Sequence, residues 1–255
     1  MAHYYFVVTA LPPLVFKTPA EITFKEFFRD YVEMNLTPSD LQQFRKLLEQ
    51  VDLYNIKALW LGASMDDKGT MSGKELEEAL LVRDSLPPYL IDFLDEYESV
   101  EDRLRYFSSL YASMYAQELN GFLGKYFSFE REIRLVLTAL RAKKTGRDIV
   151  VELQFEDPQD PFVLQILAQR DAPEYFPPME YESLKELFEE NTDPRKLSEV
   201  LFKYRFDRIG EWEENELFTL DRMIAYAARL LILESSLELD LEKGKIALEE
   251  LNQYG

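Results

Sequence analysis

Apolar side chains recur at three- and four-residue intervals along most of the chain, the period of an α-helix that buries one face. Phe24, Phe27, Phe28, Tyr31 and Val32 form the first such seam. Leu41, Phe44, Leu48 and Val51 form the second, extended by Ile56, Leu59 and Trp60. Thr18-Pro19-Ala20-Glu21 and Thr23-Phe24-Lys25-Glu26 read as capping boxes, in which a hydroxyl and a carboxylate satisfy orphan N–H groups at a helix start. Thr37-Pro38 opens the second helix, with Pro38 in the first turn, where its missing N–H costs nothing, and Gly62 closes it.

A turn-rich loop follows at 62–75, and helical spacing resumes at 74–81 and 89–97. Residues 103–119 set Leu104, Phe107, Tyr111 and Met114 on one face. Gly121 and Gly124 read as stop signals. Ser128 then reads as the cap of a helix that buries Phe129, Ile133, Val136, Leu137 and Leu140 and ends at Gly146. Prolines at 158, 161, 173, 177 and 178 make the next stretch a connector with one short helix at 162–168. Ser183-Leu184-Lys185-Glu186 reads as a third capping box, and Asp193-Pro194 opens a helix that runs to Gly210. A long helix from about 214 to 235 has Leu217, Leu220, Ile224, Ala227 and Leu231 as its seam, and a final one covers 241–251. Two runs, 4–11 and 149–155, begin with the aromatic or β-branched residues of a strand. One or two such runs among eight or more helices do not build a sheet, so the predicted fold class is mostly α.

Composition narrows the chemistry. The 255 residues carry 29 Lys+Arg against 48 Asp+Glu, a formal net charge of −19, with no Cys and a single His. That excludes a disulfide framework, a Cys-ligated metal and a Cys nucleophile. One His excludes the HExxH helix and the paired Glu-x-x-His motifs of a di-iron bundle. A Ser–His–Asp triad would have to recruit His3, beside the N-terminus. The charge repels nucleic-acid phosphates and anionic membranes and favours basic protein partners. No apolar run spans a bilayer, and the first residues lack the basic start and small-residue cleavage site of a signal peptide. The expected location is cytoplasmic.

Two loop motifs fail in detail. Asp66-Asp67-Lys68-Gly69-Thr70-Met71 begins like a calcium loop, but Lys68 at the third position repels the ion and Met71 stands where the turn needs Gly. Gly69-Thr70-Met71-Ser72-Gly73-Lys74 places three residues between the glycines where a phosphate-binding loop has four, and Glu75 follows in place of Ser/Thr. No metal, cofactor or small-molecule substrate is predicted. Glu189-Glu190, Glu213-Glu214 and the Glu130/Glu132 pair are carboxylates whose spacing in sequence does not define an acid/base geometry. The candidate site is instead a basic patch in an acidic protein: Arg131, Arg134, Arg141, Lys143, Lys144 and Arg147, against Glu132 alone, in the 131–147 stretch. By contrast, 174–221 holds fourteen acids and six bases. The patch reads either as a solvated helix face whose C-terminal cations complement the dipole or as a protein docking surface.

Three segments repeat a pattern of acidic residues leading into an amphipathic helix: 51–59, 129–146 and 217–229. In these segments the chain resembles the C subunit of V/A-type ATPases, the d subunit of the eukaryotic enzyme, in which such stretches end in Arg/Lys and Gly. Glu132 through Gly146 matches best, and Tyr4-Tyr5-Phe6 followed by Ala10 resembles that family's helical opening. The whole order also resembles an uncharacterised bacterial family encoded alongside V-type ATPase subunits. Its marks are Tyr4-Tyr5-Phe6, Leu11-Pro12-Pro13-Leu14, Leu220-Asp221, Ala225-Tyr226, Leu231-Ile232-Leu233-Glu234 and Glu242-Lys243-Gly244.

The resemblance implies a helical, funnel-like array over 1–255 with a three-part pseudo-repeat, divided near 1–85, 86–178 and 179–255. It also implies a non-catalytic central-stalk role. The chain would couple the membrane rotor ring to the central shaft in proton or sodium transport, peripheral to the membrane through the complex. Without the resemblance, the chain reads as a cytoplasmic helical interaction scaffold with no ATPase connection, and thirdly as a carboxylate-dependent enzyme.

Overall fold

The computed structural model describes residues 4–213 and 217–253, by backbone path alone from 241 onward. His3 and Glu214 lie outside the described residues. The helices are α1 (Tyr5–Thr9), α2 (Phe24–Phe27), α3 (Pro38–Arg45), α4 (Glu49–Leu61), α5 (Gly73–Val82), α6 (Pro88–Glu96), α7 (Val100–Arg105), α8 (Ser108–Tyr115), α9 (Gly121–Thr145), α10 (Ile149–Glu152), α11 (Pro161–Leu167), α12 (Glu182–Glu190), α13 (Pro194–Glu213) and α14 (Leu220–Gln253). A π-helical turn, Phe28–Glu33, continues α2, and 3₁₀ turns precede α4 and α12. No strand occurs among the described residues, and the fold is mostly α.

The chain divides into two compact units, Met1–Phe44 with Glu189–Gly255, and Arg45–Phe188. In the first, α14 packs along α13 and against α2. Phe27 is fully buried, 6.2 Å from the Phe44 ring and 5.2 Å from the Tyr226 ring. The expected capping box at Thr23 is present, with Glu26 N donating to Thr23 Oγ1 and Thr23 N to Glu26 Oε2. The Phe24 amide donates to Glu234 of α14 at 2.7 Å, so a helix start is tied to a distant helix. The Thr18 box does not form, because 18–21 is not helical. Residues 4–11 prove helical over Tyr5–Thr9, which corrects the strand expectation. Tyr4 holds that short helix in place: its amide donates to the Phe218 carbonyl at 2.8 Å, and its hydroxyl donates to Asp40.

In the second unit α9 is the spine. Its 25 residues bury Phe127, Ile133, Val136, Ala139 and Leu140 among neighbours that include α8, α10 and α11. Gly121 and Gly124 begin this helix, not end one. Gly121 has φ +64°, and a Cβ on Gly124 would sit 2.2 Å from the Leu119 carbonyl oxygen. The predicted 103–119 helix is broken into α7 and α8 at Tyr106-Phe107. Residues 149–152 form α10, capped by Asp148, whose Oδ1 accepts from the Val150 amide at 2.8 Å. A single Asp at the right place thus converts a β-branched run into a helical turn, which corrects the second strand expectation.

Candidate interaction surface

The basic patch on α9 and the turn after it divides into cations that hold the unit together and cations that face solvent. Glu156 lies in the loop between α10 and α11, with its carboxylate almost wholly buried. Arg131 donates to it from Nε at 3.0 Å, and Arg134 donates to its other oxygen. Arg131 also reaches Asp160 Oδ2 at 3.1 Å, while Asp160 Oδ1 accepts from the Phe162 and Val163 amides and caps α11. Two arginines one turn apart therefore lock α9 to the start of α11 through charge-assisted hydrogen bonds. Lys143 is likewise engaged, donating to the carbonyls of Arg170 and Ala172 beyond α11.

Arg141, Lys144 and Arg147 are the exposed members. Lys144 lies 5.2 Å above the Phe188 ring, and Arg147 reaches Glu152 at 3.4 Å. Sequence reasoning missed Glu156 and Asp160 as the partners of the arginines. The available signal was a pair of acids in the proline-rich connector, four residues apart, next to the helix that carries an arginine pair three apart.

The loop before α5 fills its own cation position. Asp66 accepts from Lys68 Nζ at 3.1 Å, and the Lys68 side chain is buried. Asn55 of α4 donates to the Asp66 carbonyl and accepts from the Asp66 amide, at 2.8 and 2.7 Å. Asp52 accepts from the Thr70 amide and hydroxyl, both at 2.7 Å. Burial raises the Asp52 carboxyl above its ordinary value, against the lowering effect of the Thr70 hydrogen bonds. Ser72 and Glu75 form a capping box at the start of α5, absent from the sequence expectation. The loop is thus a strapped helix connection.

The described members of the paired carboxylates sit in different settings. Glu213 is buried between Arg222, at 3.1 Å, and Arg229, whose guanidinium lies 4.1 Å from the Phe206 ring centroid. Glu132 accepts from the Tyr181 hydroxyl, and burial raises its carboxyl. Glu130 is buried, and Glu189 and Glu190 are exposed at the end of α12.

Several large apolar side chains face solvent on ordered elements. Phe6 is 85% exposed beside Tyr5, whose ring lies 4.5 Å from Phe218. Leu81 and Val82 are exposed at the end of α5. Phe176 and Met179 are exposed on the segment that leads into α12. Among the described residues, no helix is long and apolar enough to cross a membrane.

Comparison with known proteins corrects the resemblance to the C subunit of V/A-type ATPases. The matches are uncharacterised bacterial proteins. A protein of Chlamydia muridarum is 28% identical, covering 96% of each chain. One of Chlamydia trachomatis is also 28% identical, over 94% of each chain. One of Chlamydia pneumoniae is 26% identical, over 99% of this chain and 98% of its own. No solved structure gives a significant match. The physical reason for the misassignment is visible on α9. Its closing Lys143, Lys144 and left-handed Gly146 are the ordinary C-terminal chemistry of any helix, in which cations meet the dipole and glycine supplies positive φ. An uncharacterised bacterial family is the part of the expectation that stands: a family model described as "Protein of unknown function (DUF2764)" matches residues 1–253, and the chain belongs to that family.

Proposed function

We propose that this chain is a non-catalytic, cytoplasmic protein-docking subunit whose work is done by its surfaces. The observation that carries the reading is the set of large apolar side chains held out from ordered helices and loops in a protein of net charge −19. An exposed aromatic or aliphatic side chain is the kind of group that anchors a partner, and the net charge favours basic ones. The buried acids support it as well. Glu156 and Glu213 are each consumed by two arginines, which makes them structural ties.

The partner class proposed is the central shaft and rotor ring of a V/A-type ATPase, with the membrane reached only through the ring and with no nucleic acid bound. This is a proposal about association and does not place the chain in the C-subunit family. The alternative is a helical scaffold for other cytoplasmic proteins, served by the same surfaces. The test is to titrate the purified chain against purified shaft subunits and against the ring in mild detergent. Binding at about micromolar Kd or tighter is expected for either target. Failure with both, alongside recovery of other partners from cells, would remove the ATPase and leave the scaffold.

A further inference from the structure

The segment 173–181 presents two apolar side chains in a fixed pose. Tyr175 is 1% exposed and Pro177 is buried, so the chain is anchored on both sides of Phe176. Between those anchors Phe176 is 60% exposed, and Met179, three residues on, is 85% exposed. The backbone at Phe176 is clamped by one side chain. Gln169 Oε1 accepts from the Phe176 amide and Gln169 Nε2 donates to the Phe176 carbonyl, each at 2.9 Å. Pro177 and Pro178 stiffen the chain immediately after. Tyr181 then re-enters the core, where its ring meets Phe162 edge-on at 5.9 Å.

A loop built this firmly around an exposed phenylalanine has no need of that side chain in its own core. Order at an exposed aromatic removes the entropy that a partner would otherwise have to freeze, which is the property of an interface anchor.

The exposed charges around the pair are acidic, and the one cation of the segment 173–190, Lys185, is mostly buried against Phe176 and Glu174. Glu174, Glu180, Glu182 and Glu186 are exposed on the same segment and the first turns of α12. Glu182 and Glu186 are one turn apart on that helix, a like-charge pair that opposes helix stability. Lys185 is turned to internal contacts, with Nζ 3.9 Å from the Phe176 ring centroid and 3.5 Å from Glu174. We infer that Phe176 and Met179 form a projecting anchor that inserts into an apolar pocket of a partner protein, a pocket rimmed by Lys or Arg that meets Glu180, Glu182 and Glu186. The inference rests on the docking reading above and names one surface for it.

Photo-crosslinking in the full-length chain tests it. A benzoylphenylalanine is placed at Phe176, and separately at Phe6 and at Leu81, in the cells that make the protein. The expected result is a crosslink from position 176 to a protein whose contact surface is apolar and basic. That protein, purified, should bind the wild-type chain about tenfold or more tightly than it binds Phe176→Ala, as for an interface anchor. Gln169→Ala keeps the phenylalanine and releases its clamp, so it should weaken binding too, with the helical circular dichroism of both variants unchanged. Glu182→Lys with Glu186→Lys should weaken binding further, and reversal of the partner's facing cations should restore it.

Crosslinks from Phe6 or Leu81 with none from 176 would overturn the anchor and leave the docking reading standing. So would a 176 crosslink to a second copy of the chain, or a Kd indifferent to Phe176→Ala. No crosslink from any of the three positions would count against both.

Discussion

Replacing Glu156 by Ala separates a structural patch from a docking patch. Its carboxylate side chain is 4% exposed, while the arginines it joins are 15% and 26% exposed. Removing one partner of a fully buried ion pair costs about 3–5 kcal/mol, because the charge left behind stays desolvated. Two features reduce that here. Arg131 retains Asp160 at 3.1 Å, and both guanidiniums reach some solvent. One feature works the other way, since Arg134 Nε is already buried without a hydrogen-bond partner. The expected loss is about 2–3 kcal/mol. At roughly 2–4 °C per kcal/mol for a chain of this size, Tm falls by about 4–12 °C.

Urea and thermal unfolding followed by circular dichroism measure the effect, and hydrogen exchange over 131–167 locates it in the unit that spans 45–188. Glu156→Gln keeps an acceptor and should lose about half as much. A double-mutant cycle with Arg134→Ala should show coupling above about 0.5 kcal/mol. A loss below about 0.5 kcal/mol with no coupling would mean the two arginines do not depend on Glu156, and would refute its role as the tie between α9 and α11.

Three further outcomes follow from the geometry. Arg141→Glu and Arg147→Glu should change stability by no more than about 0.5 kcal/mol each, against several-fold more for Arg131→Glu, as read from urea midpoints. Gly124→Ala should destabilise by about 1–3 kcal/mol although alanine favours helices by about 1 kcal/mol, because its Cβ meets the Leu119 carbonyl; a stabilised variant in thermal scans would contradict that contact. Asp52 holds its proton to a higher pH in the folded than in the unfolded chain. Its contribution to stability therefore falls as pH rises from the unfolded to the folded value. The stability difference between wild type and Asp52→Asn should change across that window in urea titrations from about pH 3 to 7, whereas a constant difference would show that burial does not shift the group.

The helical content was legible because the period of the apolar positions and several caps agree. Thr23, Thr37 and Gly62 act as their residue types suggest: Asp40 N donates to Thr37 Oγ1 at 3.2 Å, and Gly62 ends α4 at φ +66°. Glycine was the weak point, since the same residue stops, starts or interrupts nothing according to its neighbours. Gly121 starts α9, and Gly210 sits within α13, where Arg229 packs so closely that a Cβ would come 3.3 Å from its guanidinium carbon. Short β-branched runs misled for a related reason: Ile149-Val150-Val151 is decided by the Asp148 cap in front of it.

Ser183 failed as a cap because the 3₁₀ turn at Met179–Tyr181 starts the helix earlier. The basic patch was visible as charge, but its division was not, because Glu156 and Asp160 approach it only after the chain has turned back from α9. The anchor at Phe176 was hidden in the same way. Only the folded segment shows that Tyr175 and Pro177 go inward while Phe176 goes out.

The most direct test of the docking role is affinity purification of the tagged chain from its own cells in mild detergent, with the bound proteins identified and quantified by mass spectrometry. Shaft and ring subunits of a V/A-type ATPase recovered in near-stoichiometric amounts are the predicted result. Other proteins in their place, with those subunits expressed, would contradict the ATPase association, and a chain recovered repeatedly with no partner would contradict the docking role itself.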